Sequence, residues 1–207
     1  MYVPENNRVE DRAQRIAFMR EYNFAALITG GAANGLRATH LPFILVDDGA
    51  RLKLLAHMAQ ANPQWQDFAD EPEALVIFAG PHAYVSPRHY QRQPSVPTWN
   101  YLAVHAYGRV RRLDERGDKL QALDRLIDAH DPAFQAEFAA LPAEYLNAKL
   151  GGIVAFEIAV SRLEARFKLS QDRSASERDT IAAALERSGD PAAQALAAKM
   201  RPNEPPA

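Results

Sequence analysis

A chain of 207 residues with 47% apolar side chains can bury one sizeable core, which excludes disorder as its default state. Its 26 acidic and 24 basic side chains leave a formal charge of −2, which argues against a broad footprint for nucleic acid or anionic lipid. Cysteine is absent, so disulfides, thiolate nucleophiles and Cys-ligated metals are excluded.

The opening segment, MYVPENNRVEDR, lacks the apolar stretch of a signal peptide, and no apolar run approaches the roughly 18 residues of a spanning helix. A cytoplasmic protein without membrane segments is expected. Val9, Ala13, Ile16 and Ala17 share one helical face, which predicts a helix over 10–22. FAALITG (24–30) reads as a strand ended by the turn GGAANG, and LRATHLPFILV (36–46) as a second strand. Alternation there puts Arg37, Thr39 and Leu41 opposite Ala38 and His40. Asp48-Gly49 signals a hairpin into a third strand, RLKLLAH (51–57). Asn62 as N-cap and Pro63 as first helical residue predict a short helix near 63–70. ALVIFAG (74–80) and HAYVSP (82–87) read as two strands broken at Gly80-Pro81. A polar loop, RHYQRQPSVP, then leads into the longest strand, TWNYLAVHAYGRVRRL (98–113).

Residues 114–131 form an amphipathic helix through Leu120, Leu123, Leu126 and Ile127, and 132–149 a helical segment interrupted at Pro142. A last long strand follows over 152–170. Residues 176–200 suit two short helices around Gly189-Asp190-Pro191, and the tail 201–207 reads as frayed. Six or seven strands with helical excursions near 114–149 and 176–200 predict one mainly β (α+β) domain over 1–200, a small β-barrel with peripheral helices. Without βαβ alternation a doubly wound sheet is excluded.

Five of the six histidines, His40, His57, His82, His89 and His105, lie between positions 40 and 105. No HxH or HExxH spacing accompanies them, so hydrogen-bonded or surface imidazoles fit better than a metal site. Phosphate-cradling glycine loops and the GxSxG and SxxK nucleophile motifs are also absent. What remains are polar islands at strand ends: ATHLP, AHMAQANPQW, GPHAYVSP, PTWNY and FKLSQ. A planar heteroaromatic ligand needs such a mixture, with aromatic cover for its face and aimed donors at its edge. Arg37, Thr39, Lys53, Lys168 and Ser170 are candidate partners for a phosphate on that ligand. On the residues alone, ordinary core packing suits Trp99 and Tyr101 better than a site.

MYVP, THLP (39–42), HMAQANPQW (57–65), GPHAYVSP (80–87), VPTWNYLAVHAYG (96–108) and FKLSQDR (167–173) stand in an order that resembles the PaiB-like family. These proteins are known as FMN-binding negative transcriptional regulators on the split barrel of pyridoxamine-phosphate oxidase. The resemblance runs from Met1 to about Met200. It implies a homodimeric FMN-binding split β-barrel with FMN sites between protomers. It further implies that His57, Met58 and Ala59, with Asn62 behind them, hold the ribityl phosphate, and that Thr39 and His40 line the same groove. Trp99 and Asn100 would cover or edge the flavin ring from the other subunit, and Lys168 and Gln171 would reach in from the last strand.

Five positions depart from the family pattern: Ala56 replaces a glycine, Gln60 an arginine, His89 a tryptophan, Asp172 an asparagine and Asn7 a phenylalanine. Losing an arginine and gaining a carboxylate near a phosphate imply weaker retention of FMN. The resemblance implies a repressor or flavin sensor that meets promoter DNA. The charge-balanced, alanine-rich helices at 176–200 make a poor DNA-reading pair, and packing on the barrel suits them better. Two alternatives follow from the fold: an FMN-dependent oxidoreductase using NAD(P)H or a deazaflavin, and a haem-binding or haem-degrading split barrel.

Overall fold

A computed structural model describes residues 1–31, 35–69, 72–91 and 93–201. Part of the turn GGAANG and all but the first residue of the tail 201–207 lie outside the described residues, as therefore does the reading of that tail as frayed. Among the described residues, seven strands make one antiparallel sheet: β1 (Phe24–Gly31), β2 (Gly35–Pro42), β3 (Ile44–Asp47), β4 (Leu52–Ala59), β5 (Glu73–Val85), β6 (Thr98–Leu113) and β7 (Ile153–Lys168). Their order is β2-β1-β5-β6-β7-β4-β3. The helices are α1 (Arg12–Glu21), α2 (Arg116–His130), α3 (Gln135–Ala139), α4 (Ala143–Gly151), α5 (Ala175–Glu186) and α6 (Pro191–Met200). None of the described helices is long and apolar enough to cross a membrane.

Three expectations are corrected. The strand predicted over 36–46 is two strands, separated at Phe43. Pro42 has no N–H to continue a ladder, and the Phe43 N–H turns to the Asn23 carbonyl at 2.9 Å, which seats the Phe43 ring in the core. Conversely, Gly80-Pro81 does not break β5. The buried positions change there from even (74, 76, 78) to odd (81, 83, 85), and proline is tolerated in a strand where its alternation slips. Gly80 is needed because a Cβ would lie 2.7 Å from the Phe18 ring. In α1 the core face is Ile16, Phe18 and Met19, whereas Ala13 and Ala17 are exposed, because the larger apolar groups gain more by burial. The short helix after Asn62 is a 3₁₀ turn over Pro63–Phe68, capped as expected by the Asn62 side chain.

The chain divides into two compact units. The first comprises Met1–Phe18, Ala79–Val104 and the segment from Glu164 onward. Phe18 packs on Phe167 at 4.9 Å, and Ile181 and Leu196 are fully buried where α5 meets α6. A capping box at Ser174 and Glu177 starts α5, and the second Glu177 oxygen accepts from the Gln91 N–H at 2.9 Å. The second unit comprises Met19–Phe78 and His105–Leu163. Its core stacks Phe43, Phe68, Phe78 and Phe156 with centroid separations of 4.9–6.3 Å. The hairpin expected at Asp48-Gly49 joins β3 to β4 in the register Ile44↔Leu55 to Asp47↔Leu52, with Gly49 at φ +88°.

Candidate functional site

The ten expected site residues fall into two groups, one in each unit. In the second unit, β2 alternation points Thr39 toward the 3₁₀ turn while His40 is exposed and stacks on Phe24, centroids 6.0 Å apart. The Thr39 hydroxyl donates to Gln64 Oε1 at 2.5 Å and accepts from Asn62 Nδ2 at 3.0 Å. Gln64 in turn donates to the Leu27 carbonyl, Thr29 Oγ1 and the Arg37 carbonyl at 3.1, 3.0 and 3.3 Å. Thr29 Oγ1 donates to Asp67 Oδ2, and Arg37 pairs with Asp67 Oδ1 at 2.8 Å. This network ties the β1–β2 hairpin to the turn that follows β4. Thr39 and Asn62 therefore brace that turn, and the Thr39 hydroxyl hydrogen is already committed.

Along β4, Met58 is buried, Ala59 is exposed and His57 is half-buried opposite Ala155 of β7. Burial holds the His57 imidazole below the usual histidine range, so the neutral ring is favoured. Its folded-state pKa lies below that of the unfolded chain. As pH falls below 6.5 the unfolded state therefore takes up the proton first, and stability drops until the folded ring also titrates. An NMR titration should place the His57 midpoint below 6.5, and His57→Gln should remove that segment of the stability–pH curve. A midpoint at or above 6.5 would contradict the burial argument.

In the first unit, β6 begins with Thr98 and Trp99. Trp99 is 48% exposed, with His82 beside it at 5.7 Å and Tyr84 edge-on at 6.4 Å. The Trp99 and His82 rings, with Tyr101, border an open cleft of about 260 Å³ that is walled by Gly80, Leu102 and Ala103. Asn100 is fully buried; its Nδ2 donates to Ser170 Oγ at 2.9 Å and its Oδ1 has no partner among the described residues. Ser170, the residue that turns the chain out of β7, has φ +60°. Lys168 donates to the Thr98 hydroxyl. Its pKa lies below the usual lysine value because of burial first and the neighbouring Arg166 second, with Asp172 opposing both. Gln171 accepts from Asn7 Nδ2 at 3.0 Å and from the Leu169 N–H at 2.8 Å, and donates to the Phe167 carbonyl.

Gln64 and Asp67, the hubs of the polar network, escape a reading of the sequence because their partners, Leu27, Thr29, Arg37 and Thr39, come from two strands some 25–38 residues away. His82 and Tyr84 had a usable signal: two-residue alternation in HAYV places both on one strand face. Among the described residues no group of three or more His, Asp or Glu side chains is arranged to hold a metal.

Residues 1–162 match the family described as "Putative FMN-binding domain". Over 204 residues the chain is 33% identical to "Protease synthase and sporulation protein PAI 2" of Bacillus subtilis (strain 168), covering 97% of this chain and 96% of that protein. Among solved structures, the FAD and heme binding protein from Mycobacterium smegmatis aligns with a TM-score of 0.64 at 17% identity, over 83% of this chain and 78% of that one. The flavocytochrome Anf3 from Azotobacter vinelandii gives 0.63 at 12% identity, over 81% and 72%. At such identities those two structures speak for the fold, while the family match and the Bacillus relative speak for kinship. The chain belongs to the PaiB-like family of FMN-binding-domain proteins, built on the flavin split barrel.

Proposed function

We propose that the protein is a flavin-binding regulator of the PaiB type, a cytoplasmic homodimer that holds FMN and represses transcription at promoter DNA. The observation that carries the flavin reading is the half-exposed Trp99 with His82 and Tyr101 around an apolar cleft, Tyr84 standing edge-on to Trp99. That surface suits a planar ring system, whose large faces gain most from aromatic cover. In this reading His57, Met58 and Ala59 line the phosphate end, braced by Thr39 and Asn62, with His40 at the rim. A second copy of the chain supplies the Trp99 face, and the Asn100–Ser170, Lys168 and Gln171 contacts fix the backbone behind it. FMN, when bound, supplies an isoalloxazine that changes charge and shape with its redox state. The name of the Bacillus relative, which joins protease synthesis to sporulation, supports a regulatory role over a metabolic one.

The test is purification followed by absorbance of the bound chromophore, FMN titration, light scattering and a mobility shift on the adjacent promoter. Saturable FMN binding at one per protomer of a dimer is expected, with Trp99→Ala and His57→Ala each weakening it about tenfold or more. A stable monomer that never binds FMN would sink the reading. Rapid NAD(P)H oxidation by a flavin-loaded protein without a DNA complex would favour the oxidoreductase instead.

A further inference from the structure

A second cleft, of about 230 Å³, lies within the second unit where α2 covers β3, β4, β6 and β7, and none of the ten flavin candidates lines it. Its floor is apolar: Leu55, Leu113 and Ala122 are buried together, with Val46 packed against them. Its rim is ionic. Glu157, with a side chain only 12% exposed, receives Arg111 Nε and Nη2 at 3.1 and 2.9 Å and Lys53 Nζ at 3.1 Å. Burial alone would raise the Glu157 pKa, but these donors outweigh it and hold the carboxylate ionised.

The opposite wall comes from α2. A helix seated on a sheet ordinarily turns its apolar stripe inward. In α2 the leucines at 120, 123 and 126 are only half-buried, and the cleft is lined by Asp118, Gln121, Ala122 and Arg125, the i, i+3, i+4, i+7 stripe. The side chains of Asp118, Gln121 and Arg125 have no hydrogen bond or ion pair among the described residues. Three cations (Lys53, Arg111, Arg125) face two carboxylates (Asp118, Glu157), which leaves one positive charge over an apolar floor.

We infer that this cleft binds a small organic monoanion, a carboxylate on a compact apolar body, with Arg125 and Gln121 taking the carboxylate and Leu55 and Leu113 the apolar part. Arg125 is the one rim cation without an anionic partner, and its planar fork matches a carboxylate in two hydrogen bonds. Pockets for drug-sized ligands begin near 300 Å³, so the volume here limits the occupant to roughly ten non-hydrogen atoms. The inference is independent of the flavin reading: Lys53, one of the candidate phosphate partners, is here paired with Glu157, and the groups assigned to the ligand belong to none of the flavin candidates.

Calorimetric titration of the full chain with hexanoate and benzoate, at constant chloride, tests it directly. Hexylamine and hexan-1-ol serve as probes of charge and of apolar contact. One saturable site with Kd of about 1 mM or tighter is expected for at least one carboxylate, with hexylamine inert. Arg125→Gln should weaken that binding about tenfold without moving the thermal midpoint of the free protein, because Arg125 has no folded-state partner to lose. Ala122→Leu, which fills the floor, should abolish it. No saturation by either carboxylate, equal binding of hexylamine or hexan-1-ol, or full retention in Arg125→Gln would overturn the assignment.

Discussion

Gly108→Val is expected to cost about 3 kcal/mol or more of folding stability, at the upper end of what overpacking a buried site produces. Gly108 lies in β6, where its missing side chain lets β7 approach. A Cβ at that position would stand 2.3 Å from the Ala159 carbonyl oxygen and 2.8 Å from Ile158 Cγ2. The nearer atom is backbone, fixed by the strand, so no rotamer change relieves the clash and the two strands must move apart. Ile158 is fully buried, so that movement also opens packing in the core. Gly117, the second residue of α2, provides the contrast: a Cβ there would meet nothing within 4 Å, and alanine should stabilise by up to about 0.5 kcal/mol through helix propensity, less than in a helix interior. Urea denaturation of both variants measures the difference. Equal midpoints for Gly108→Val and the parent would show that the β6–β7 contact is looser than described.

The features legible in the sequence are those decided by local chemistry. Asp48-Gly49 specifies its hairpin because only a residue at ease with positive φ fits the turn, and Asn62-Pro63 starts its helical turn because cap and first-turn preferences are local. The break at Phe43 was not legible, since it depends on a carbonyl twenty residues away. The continuity of β5 through Gly80-Pro81 was likewise not legible, since the alternation of buried positions slips there and Gly80 leaves room for the Phe18 ring. The same division runs through the candidate site. Trp99 stands out by composition, and its exposure with His82 and Tyr84 shows why. Asn100, adjacent in sequence, faces the other way and is spent holding Ser170, a difference of parity that the motif PTWNY cannot express.

Gln64→Leu should cost about 2–4 kcal/mol, and the manner of the loss separates bracing from ligand contact at Thr39. Gln64 is 1% exposed, and leucine fills nearly the same volume without its amide. The change removes the Gln64 hydrogen bonds to the Leu27 and Arg37 carbonyls and takes the acceptor from the Thr39 hydroxyl. Each buried group left without a partner costs about 1–3 kcal/mol. Part is recovered, because Thr29 still donates to Asp67 and Thr39 still accepts from Asn62. Thr39→Val removes the same hydroxyl from the other side, so the double variant should be more stable than the two single losses predict, by about 1 kcal/mol. A double-mutant cycle in urea reads that coupling, and strictly additive losses would mean that the two side chains do not depend on each other. Measured on the folded fraction, FMN affinity should survive Thr39→Val far better than His57→Ala, since the Thr39 proton is already given to Gln64 while the neutral imidazole of His57 has a ring nitrogen to offer. If the two variants lose FMN equally, Thr39 touches the ligand and the Gln64 bond must open when FMN binds.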